Sequence, residues 1–363
     1  MNVAGIDKIL EKCSISPTTY LGIVNFREEE ERFFREKTHY RPRFKYPPID
    51  FSPRSAIEEL EKTLKYHENK FSGNIERLYE NKLRELILIH HMLLSRGTPQ
   101  FLEYSIEVYG KPSRACVKRA IKTVEENLFP AKEEKSLSPQ EVVKMMEDEL
   151  KRYELHKKGW KIQLDERDTV NVDSNKKVIQ IPKNRKFSER EVKKLVVHEI
   201  CCHVFRRCNG ELQPFGIFKV GFPRYLKTEE GLAFYLESVY NVSFPRDICL
   251  RAAYVVAIDK MLNGHDFYTV WKELVELGIN EHKAFLCTAR VFRGGNENGG
   301  FTKDYVYFAG REEIKKLLRK GKREEKVKLL YVGKVNTENL KLCKKLMKEG
   351  VLIKPRYLPE VFA

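Results

Sequence analysis

The chain has 363 residues, 42% of them hydrophobic and 33% charged, and its 68 Lys and Arg against 52 Asp and Glu give a net charge of +16. That length allows two domains, or one large domain with a helical extension, and a sizeable buried core. No run approaches the ~20 apolar residues of a membrane span, and residues 1–10 lack the charged-then-apolar order of a secretory leader. Eight cysteines without framework spacing predict free thiols in a reducing cytoplasm. A basic surface attracts anions, but no RNP-like stretch, zinc-finger spacing or Gly-rich phosphate loop accompanies it, so nucleic acid is not an expected partner.

In chain order, the first half reads as helices. Ser52 and Pro53 give an N-cap with proline in the first turn, ahead of a helical pattern over 56–70. Leu78, Leu83, Leu86, Ile87 and Leu93 form one apolar stripe over 74–96, stopped by Gly97. Gly110 and Pro112 break the next segment and Ser113 opens another helix, while Ser138-Pro139-Gln140-Glu141 is a capping-box pattern ahead of a helix over 142–154. Pro130 and the Lys132-Glu133-Glu134-Lys135 run mark a solvated connection over 127–137. The chain is therefore divided into 1–130, a helical N-terminal region, and 131–363, the domain that carries the motif below.

From Trp160 onward the composition shifts. Ile162, Leu164, Val170, Val172, Val178, Ile179 and Ile181 form short β-like runs, with turn residues over 173–177, which predicts a hairpin over 170–181. Helices follow over 188–208, 229–240, 247–262, 267–277 and 281–292, the last ending at Gly294-Gly295. A hairpin followed directly by helices makes this part α+β and not a parallel α/β fold.

The helix over 188–208 carries His198-Glu199-Ile200-Cys201-Cys202-His203. Ser188 can cap it, Glu191 can return the capping-box bond, and Phe187 can staple onto Val192. Imidazole is the commonest neutral metal ligand, and a glutamate beside a ligating histidine is where metallopeptidases place the base that deprotonates water. The spacing is HExxxH, however, and not HExxH. At about 100° per residue, four steps bring two side chains within about 40° of one face, whereas five leave them about 140° apart. A single π-bulge between Ile200 and His203 restores the alignment, and such a bulge is predicted here.

A catalytic zinc also needs a third protein ligand and an open position. Thr228-Glu229-Glu230-Gly231-Leu232-Ala233 supplies it, with Thr228 as the cap of a helix whose face carries Leu232, Leu236 and Val239. The burial pattern favours Glu230, but periodicity leaves Glu229 and Glu230 both open. Two plainer readings compete. A motif this short arises by chance on the order of a few per cent of the time, with Val196, Val197 and Ile200 as core residues. Alternatively, Cys201, Cys202, His203 and Cys208 form a thiolate-rich structural site, although adjacent cysteines lack the usual C-x₂₋₄-C spacing.

His198-Glu199-x-x-x-His203, followed further on by Glu230-Gly231-Leu232-Ala233, resembles the family of microtubule-associated tyrosine carboxypeptidases, whose bacterial members are often named for a QEGLA motif. The resemblance continues through Arg96-Gly97-Thr98, Tyr109-Gly110, Arg290-Val291-Phe292-Arg293-Gly294, Phe301-Thr302-Lys303-Asp304 and Val332-Gly333-Lys334. It implies a zinc peptidase in which His198, His203 and Glu230 hold the metal and Glu199 is the base, acting on an aromatic C-terminal residue of a peptide or protein. Two departures stand out. Cys201-Cys202 occupies positions where relatives often have small residues including Gly, and Glu229 replaces the Gln before EGLA, adding a second carboxylate.

The expected architecture is then α+β, a mainly helical N-terminal part followed by a zincin-like metallopeptidase domain with a small sheet next to the metal-motif helix. The expected chemistry is zinc-assisted hydrolysis of the last peptide bond, with Arg290, Arg293, Lys303 and Tyr305 as candidates to hold the developing oxyanion or the substrate's carboxylate. The positive charge suits an acidic tail. The hairpin over 170–181 is expected against the metal helix with one strand at the rim, where an extended peptide can add as a further strand. The rival functions are a zinc-dependent amidohydrolase acting on a small molecule, and a basic binding protein with a structural metal site.

Overall fold

Local capping chemistry sets where the main helices start. Ser52 accepts the Ser55 N–H with Pro53 in the first turn, and Ser138 and Ser188 each complete a capping box with Glu141 and Glu191. In the computed structural model the resulting helices are Pro53–His67, Asn74–Leu94, Gln100–Tyr109, Arg114–Glu126 and Pro139–Arg152. The structure describes residues 3–68, 71, 73–126, 134–167 and 169–362. Most of the connection expected over 127–137, and with it the division at 130, lies outside the described residues.

Two compact units emerge, one formed by Met1–Phe129 with Pro245–Ala309 and the other by Pro130–Phe244 with Gly310–Ala363. Among its described residues the first unit is helical. Asn74–Leu94 packs on Pro53–His67 and Gln100–Tyr109, and Pro245–Leu262 packs on Arg114–Glu126 and Glu281–Phe292. Its core contains an aromatic cluster around fully buried Phe33, whose ring centroid lies 5.0 Å from Trp271, 5.2 Å from Tyr40 and Phe285, and 5.4 Å from Phe267. The Arg96-Gly97 pair has a structural use here: Arg96 donates to the carbonyls of Tyr20 and Pro47, and Gly97, at φ 82°, donates its N–H to Gly294.

The second unit holds a three-stranded sheet. Its strands are β1 (Lys161–Asp165), β2 (Asn171–Asp173) and β3 (Val178–Pro182), in the order β1-β3-β2. β2 and β3 form the predicted antiparallel hairpin, with Val172 opposite Ile179. β1 adds in parallel, with Ile162 opposite Ile179, so the sheet is mixed. Its central strand is the apolar one: Val178, Ile179 and Ile181 are buried. Pro139–Arg152 packs on β1 and β3 and also on the helix that carries the HExxxH motif. At the hairpin turn, Ser174 Oγ lies 3.2 Å from Lys334 Nζ, and the Lys334 charge acts on Glu229. The described residues are thus mostly helical with one small sheet, an α+β composition.

Candidate metal centre

The motif helix runs through three registers. Glu189–Leu195 is α-helical, Val196–Val204 is a π-helix, and Phe205–Glu211 returns to α. A bulge was predicted between Ile200 and His203; the five-residue pairing in fact extends over the whole of Val196–Val204, and Phe205 N–H still bonds to Ile200 O. The two imidazoles consequently stand together, ring centroids 5.0 Å apart. Returning from five-residue to four-residue pairing passes over one carbonyl at the join. The hydroxyl of fully buried Tyr331 donates to the Cys201 carbonyl at 2.8 Å, so the polar group is not left bare.

Each imidazole is clamped from behind by a buried carboxylate. His198 Nδ1 lies 2.7 Å from Glu237 Oε1 and His203 Nδ1 2.9 Å from Glu229 Oε1. A carboxylate can only accept here, so each Nδ1 carries a proton and each Nε2 is left facing forward. In front of them lies Glu230, with Oε2 3.7 Å from His198 Nε2 and 3.9 Å from His203 Nε2. Those separations approach the ~3.4 Å edge of a tetrahedron with arms of about 2.1 Å. Glu199 also faces this space, its Oε2 4.0 Å from His203 Nε2, and a donor atom from each of His198, Glu199 and His203 falls within 4.8 Å of the other two. Glu230 is the carboxylate that reaches both ring nitrogens most closely.

Behind Glu229 stands Arg206. Its side chain is fully buried and donates through Nη1 to Glu229 Oε2, through Nε to Leu330 O at 2.9 Å, and through Nη2 to Val335 O at 2.6 Å. Burial alone would raise the Glu229 carboxyl, but Arg206, His203 and Lys334 hold it below its ordinary range, so it remains an anion. For His198 the balance is similar. Burial disfavours its charged form, yet the carboxylates of Glu199, Glu230 and Glu237 outweigh that and hold it well above the ordinary imidazole value. Four glutamates surround the two histidines, with Arg206 and Lys334 acting on Glu229, an arrangement that could hold a further cation.

The helix that supplies the glutamates spans Leu226–Val239, starting before the predicted cap. Thr228 lies inside it, where its buried hydroxyl accepts the Thr337 N–H at 3.1 Å. Glycine at 231 is a packing requirement: a Cβ there would lie 2.2 Å from the Gly310 carbonyl carbon, and one on Gly310 would lie 2.0 Å from Lys227 O. Backbone meets backbone at this crossing, with no flexible side chain to yield. Gly231→Ala should therefore cost roughly 1–3 kcal/mol or more, read as a lowered urea midpoint at unchanged slope.

The cysteines are engaged otherwise. Cys202 donates to Glu229 O at 3.6 Å, Cys208 accepts the Trp160 Nε1–H at 3.2 Å, and burial pushes the Cys201 thiol up to about 12. Among the described residues the cluster of possible metal donors is His198, Glu199 and His203, without a thiol.

With this geometry in view, the sequence comparisons are informative. A family model described as microtubule-associated tyrosine carboxypeptidase matches residues 31–363. The chain belongs to that family. Among curated proteins, none matches. The family match covers the HExxxH and EGLA segments and the Arg290–Tyr305 stretch alike. In that stretch Arg290 makes a two-pronged ion pair with Asp304 at 2.8 and 2.9 Å, and Arg293 Nη2 lies 3.5 Å from the same carboxylate. Lys303 Nζ is 3.2 Å from the Tyr307 hydroxyl, and the Tyr305 hydroxyl donates to Tyr109 O at 2.7 Å.

Three members of the centre escaped the sequence reading: Arg206, Glu237 and Tyr331. Signals for two existed. Glu237 lies seven residues after Glu230, two helical turns along the same face, and Arg206 follows His203 by three. Tyr331 comes from a distant segment and has no local signature.

Proposed function

We propose that this chain is a zinc-dependent carboxypeptidase that removes a C-terminal residue from a peptide or protein. One observation carries the reading: two imidazoles with Nδ1 tied to buried carboxylates turn their Nε2 atoms toward a shared point, and the Glu230 carboxylate faces the same point. Two nitrogens and one oxygen in that arrangement suit zinc, with room for a fourth position. His198, His203 and Glu230 are the ligands in this proposal, within a zincin-like domain. A zinc ion held there supplies Lewis acidity, lowering the pKa of water toward ~7 and polarising the scissile carbonyl.

Glu199 is the base. It adjoins His198 in sequence, its side chain is 12% exposed, and it faces the same space without a clamping role on either ring. It accepts the proton of the attacking water and delivers it to the leaving amine, so that one carboxylate serves both halves of the reaction. Glu229 and Glu237 keep the rings in one tautomer, and Arg206 keeps Glu229 ionised. Arg290, Arg293, Lys303 and Tyr305 remain the proposed substrate-binding group, for the oxyanion or the terminal carboxylate. An aromatic terminal residue and an acidic tail follow from the family description and the +16 charge. No helix of the described residues is long and apolar enough to cross a membrane. The eight cysteines form no disulfide bond, which supports a reducing compartment, and we place the protein in the cytoplasm.

Metal analysis with a turnover assay tests the whole. Purified protein should carry about one zinc per chain, lose it in the His198→Ala/His203→Ala variant, and release tyrosine from a peptide ending in Glu-Tyr. Folded protein that takes up no zinc overturns the proposal. Zinc without any hydrolysis of peptides would instead mark the ion as structural.

A further inference from the structure

Two registers compete for the motif helix, and one carbonyl separates them. At the end of the π-helical stretch, Phe205 N–H bonds to Ile200 O and Cys202 O and passes over Cys201 O. In a continuous α-helix Cys201 O would be its acceptor, and His198 and His203 would stand about 140° apart. The Tyr331 hydroxyl takes that place, donating to Cys201 O at 2.8 Å. A buried carbonyl that already has a donor exerts no pull on Phe205 N–H. Without the hydroxyl it would be left bare, and a return to four-residue pairing would be the local way to satisfy it.

Tyr331 is itself held from several sides. Arg206, five residues beyond Cys201 on the motif helix, donates to Leu330 O and Val335 O and so brackets the segment that carries the tyrosine. Lys334 N–H bonds to Phe218 O at 2.7 Å, and Phe222 N–H to Lys334 O at 2.9 Å. Gly333 permits this close approach, since a Cβ there would lie 2.7 Å from Phe218 O. The phenol is fully buried, and burial pushes it well above its ordinary value, so the hydroxyl keeps its proton and stays a donor. The Val332-Gly333-Lys334 segment thus serves as the mount of a fixed donor aimed at one carbonyl.

We propose that Tyr331 is a positioning residue of the metal centre: by satisfying the Cys201 carbonyl it holds Val196–Val204 in the five-residue register, and thereby keeps His198 and His203 turned to a common point. The bearing on metal rests on the proposed function; the bearing on register does not.

Tyr331→Phe removes the hydroxyl and keeps the ring. In metal-free protein, amide hydrogen exchange across 200–205 should quicken roughly tenfold or more, the loss of one hydrogen bond. Zinc affinity, measured against a competing chelator, should fall about 10–100-fold. The visible spectrum of the cobalt(II)-loaded protein should change as well, because the imidazoles no longer meet the ion in the same geometry. Ile162→Ala, at a buried position of β1, is the control for a general loss of stability: its urea midpoint should drop while its metal affinity and cobalt spectrum stay those of the wild type. Gly333→Ala keeps the hydroxyl but pushes its segment off Phe218, and should move the same three readouts if Tyr331→Phe does not fold. Wild-type exchange, affinity and spectrum in folded Tyr331→Phe overturn the proposal, and so do changes no larger than those in Ile162→Ala. If the wild type takes up no metal, the proposed function fails, and the exchange measurement still decides whether Tyr331 sets the register.

Discussion

Glu199→Gln should retain about one zinc per chain while lowering turnover by about 10²–10⁴-fold, the usual contribution of a general acid–base. The substitution keeps the size of the side chain and its place beside His203, where Glu199 Oε2 now stands 4.0 Å from Nε2. What it removes is the capacity to take up a proton. The comparison also separates two roles that geometry brings close together, since Glu199 and Glu230 both face the imidazoles. If Glu199→Gln loses its zinc, Glu199 is a ligand and the base lies elsewhere; if it keeps full turnover, it is neither. Glu230→Ala is the complement and should lose tight binding of the ion. Tyrosine release from a Glu-Tyr peptide and metal content measured on the same preparation decide between these outcomes.

Arg206→Leu should destabilise the second unit by about 3–5 kcal/mol, the effect of breaking a buried ion pair by removing one partner. Arg206 is fully exchanged out of water, and its partner Glu229 is 3% exposed, so the stranded carboxylate cannot hydrate. Two backbone carbonyls, Leu330 O and Val335 O, lose their donors in the same step. The double variant Arg206→Leu/Glu229→Gln should recover part of the loss, because a neutral amide can still accept the His203 Nδ1–H. Recovery will be incomplete, since the two carbonyls stay unpaired. Urea unfolding of the four proteins closes the cycle. Additive effects would show that Arg206 and Glu229 stabilise the fold independently, and that the glutamate standing at the Gln position of QEGLA is not matched to this arginine. Glu229→Ala alone should weaken metal binding about 10–100-fold, as loss of a group that orients a ligand does. The sequence left Glu229 open as a metal ligand but gave no sign that it backs His203, a contact that only the fold brings about.

Much of the site was legible because its chemistry is local. The distorted register of the motif helix followed from one extra residue between two histidines, and the capping boxes at Ser138 and Ser188 fixed two helix starts. The hairpin followed from alternation around a turn. Other features depend on distant partners. The parallel pairing of β1 with β3 leaves no trace in either strand's own sequence. The start of the Leu226–Val239 helix was misplaced because Thr228 resembles a cap, although its hydroxyl serves Thr337, more than a hundred residues away. Tyr305–Arg319, Arg323–Leu330 and Leu340–Lys348 went unread, and with them the Gly231–Gly310 crossing and the Tyr331 tether.

The π-helical segment sets the phase of everything after it. Deleting Cys201 or Cys202 would turn HExxxH into HExxH and let an ordinary helix align the two histidines, so at first sight the extra residue is dispensable. Yet each residue inserted or removed rotates the remainder of a helix by about 100°. Downstream on this one, Arg206 points to Glu229, Leu330 O and Val335 O, Asn209 accepts the N–H groups of Arg356 and Tyr357, and Gln213, just beyond the helix, pairs with Ile353. All of these partners except Glu229 come from the last third of the second unit's sequence, 310–363. The inserted residue therefore acts as a gear tooth: it lets a single rod present its donors to an ion at one end while meshing with the C-terminal segment at the other.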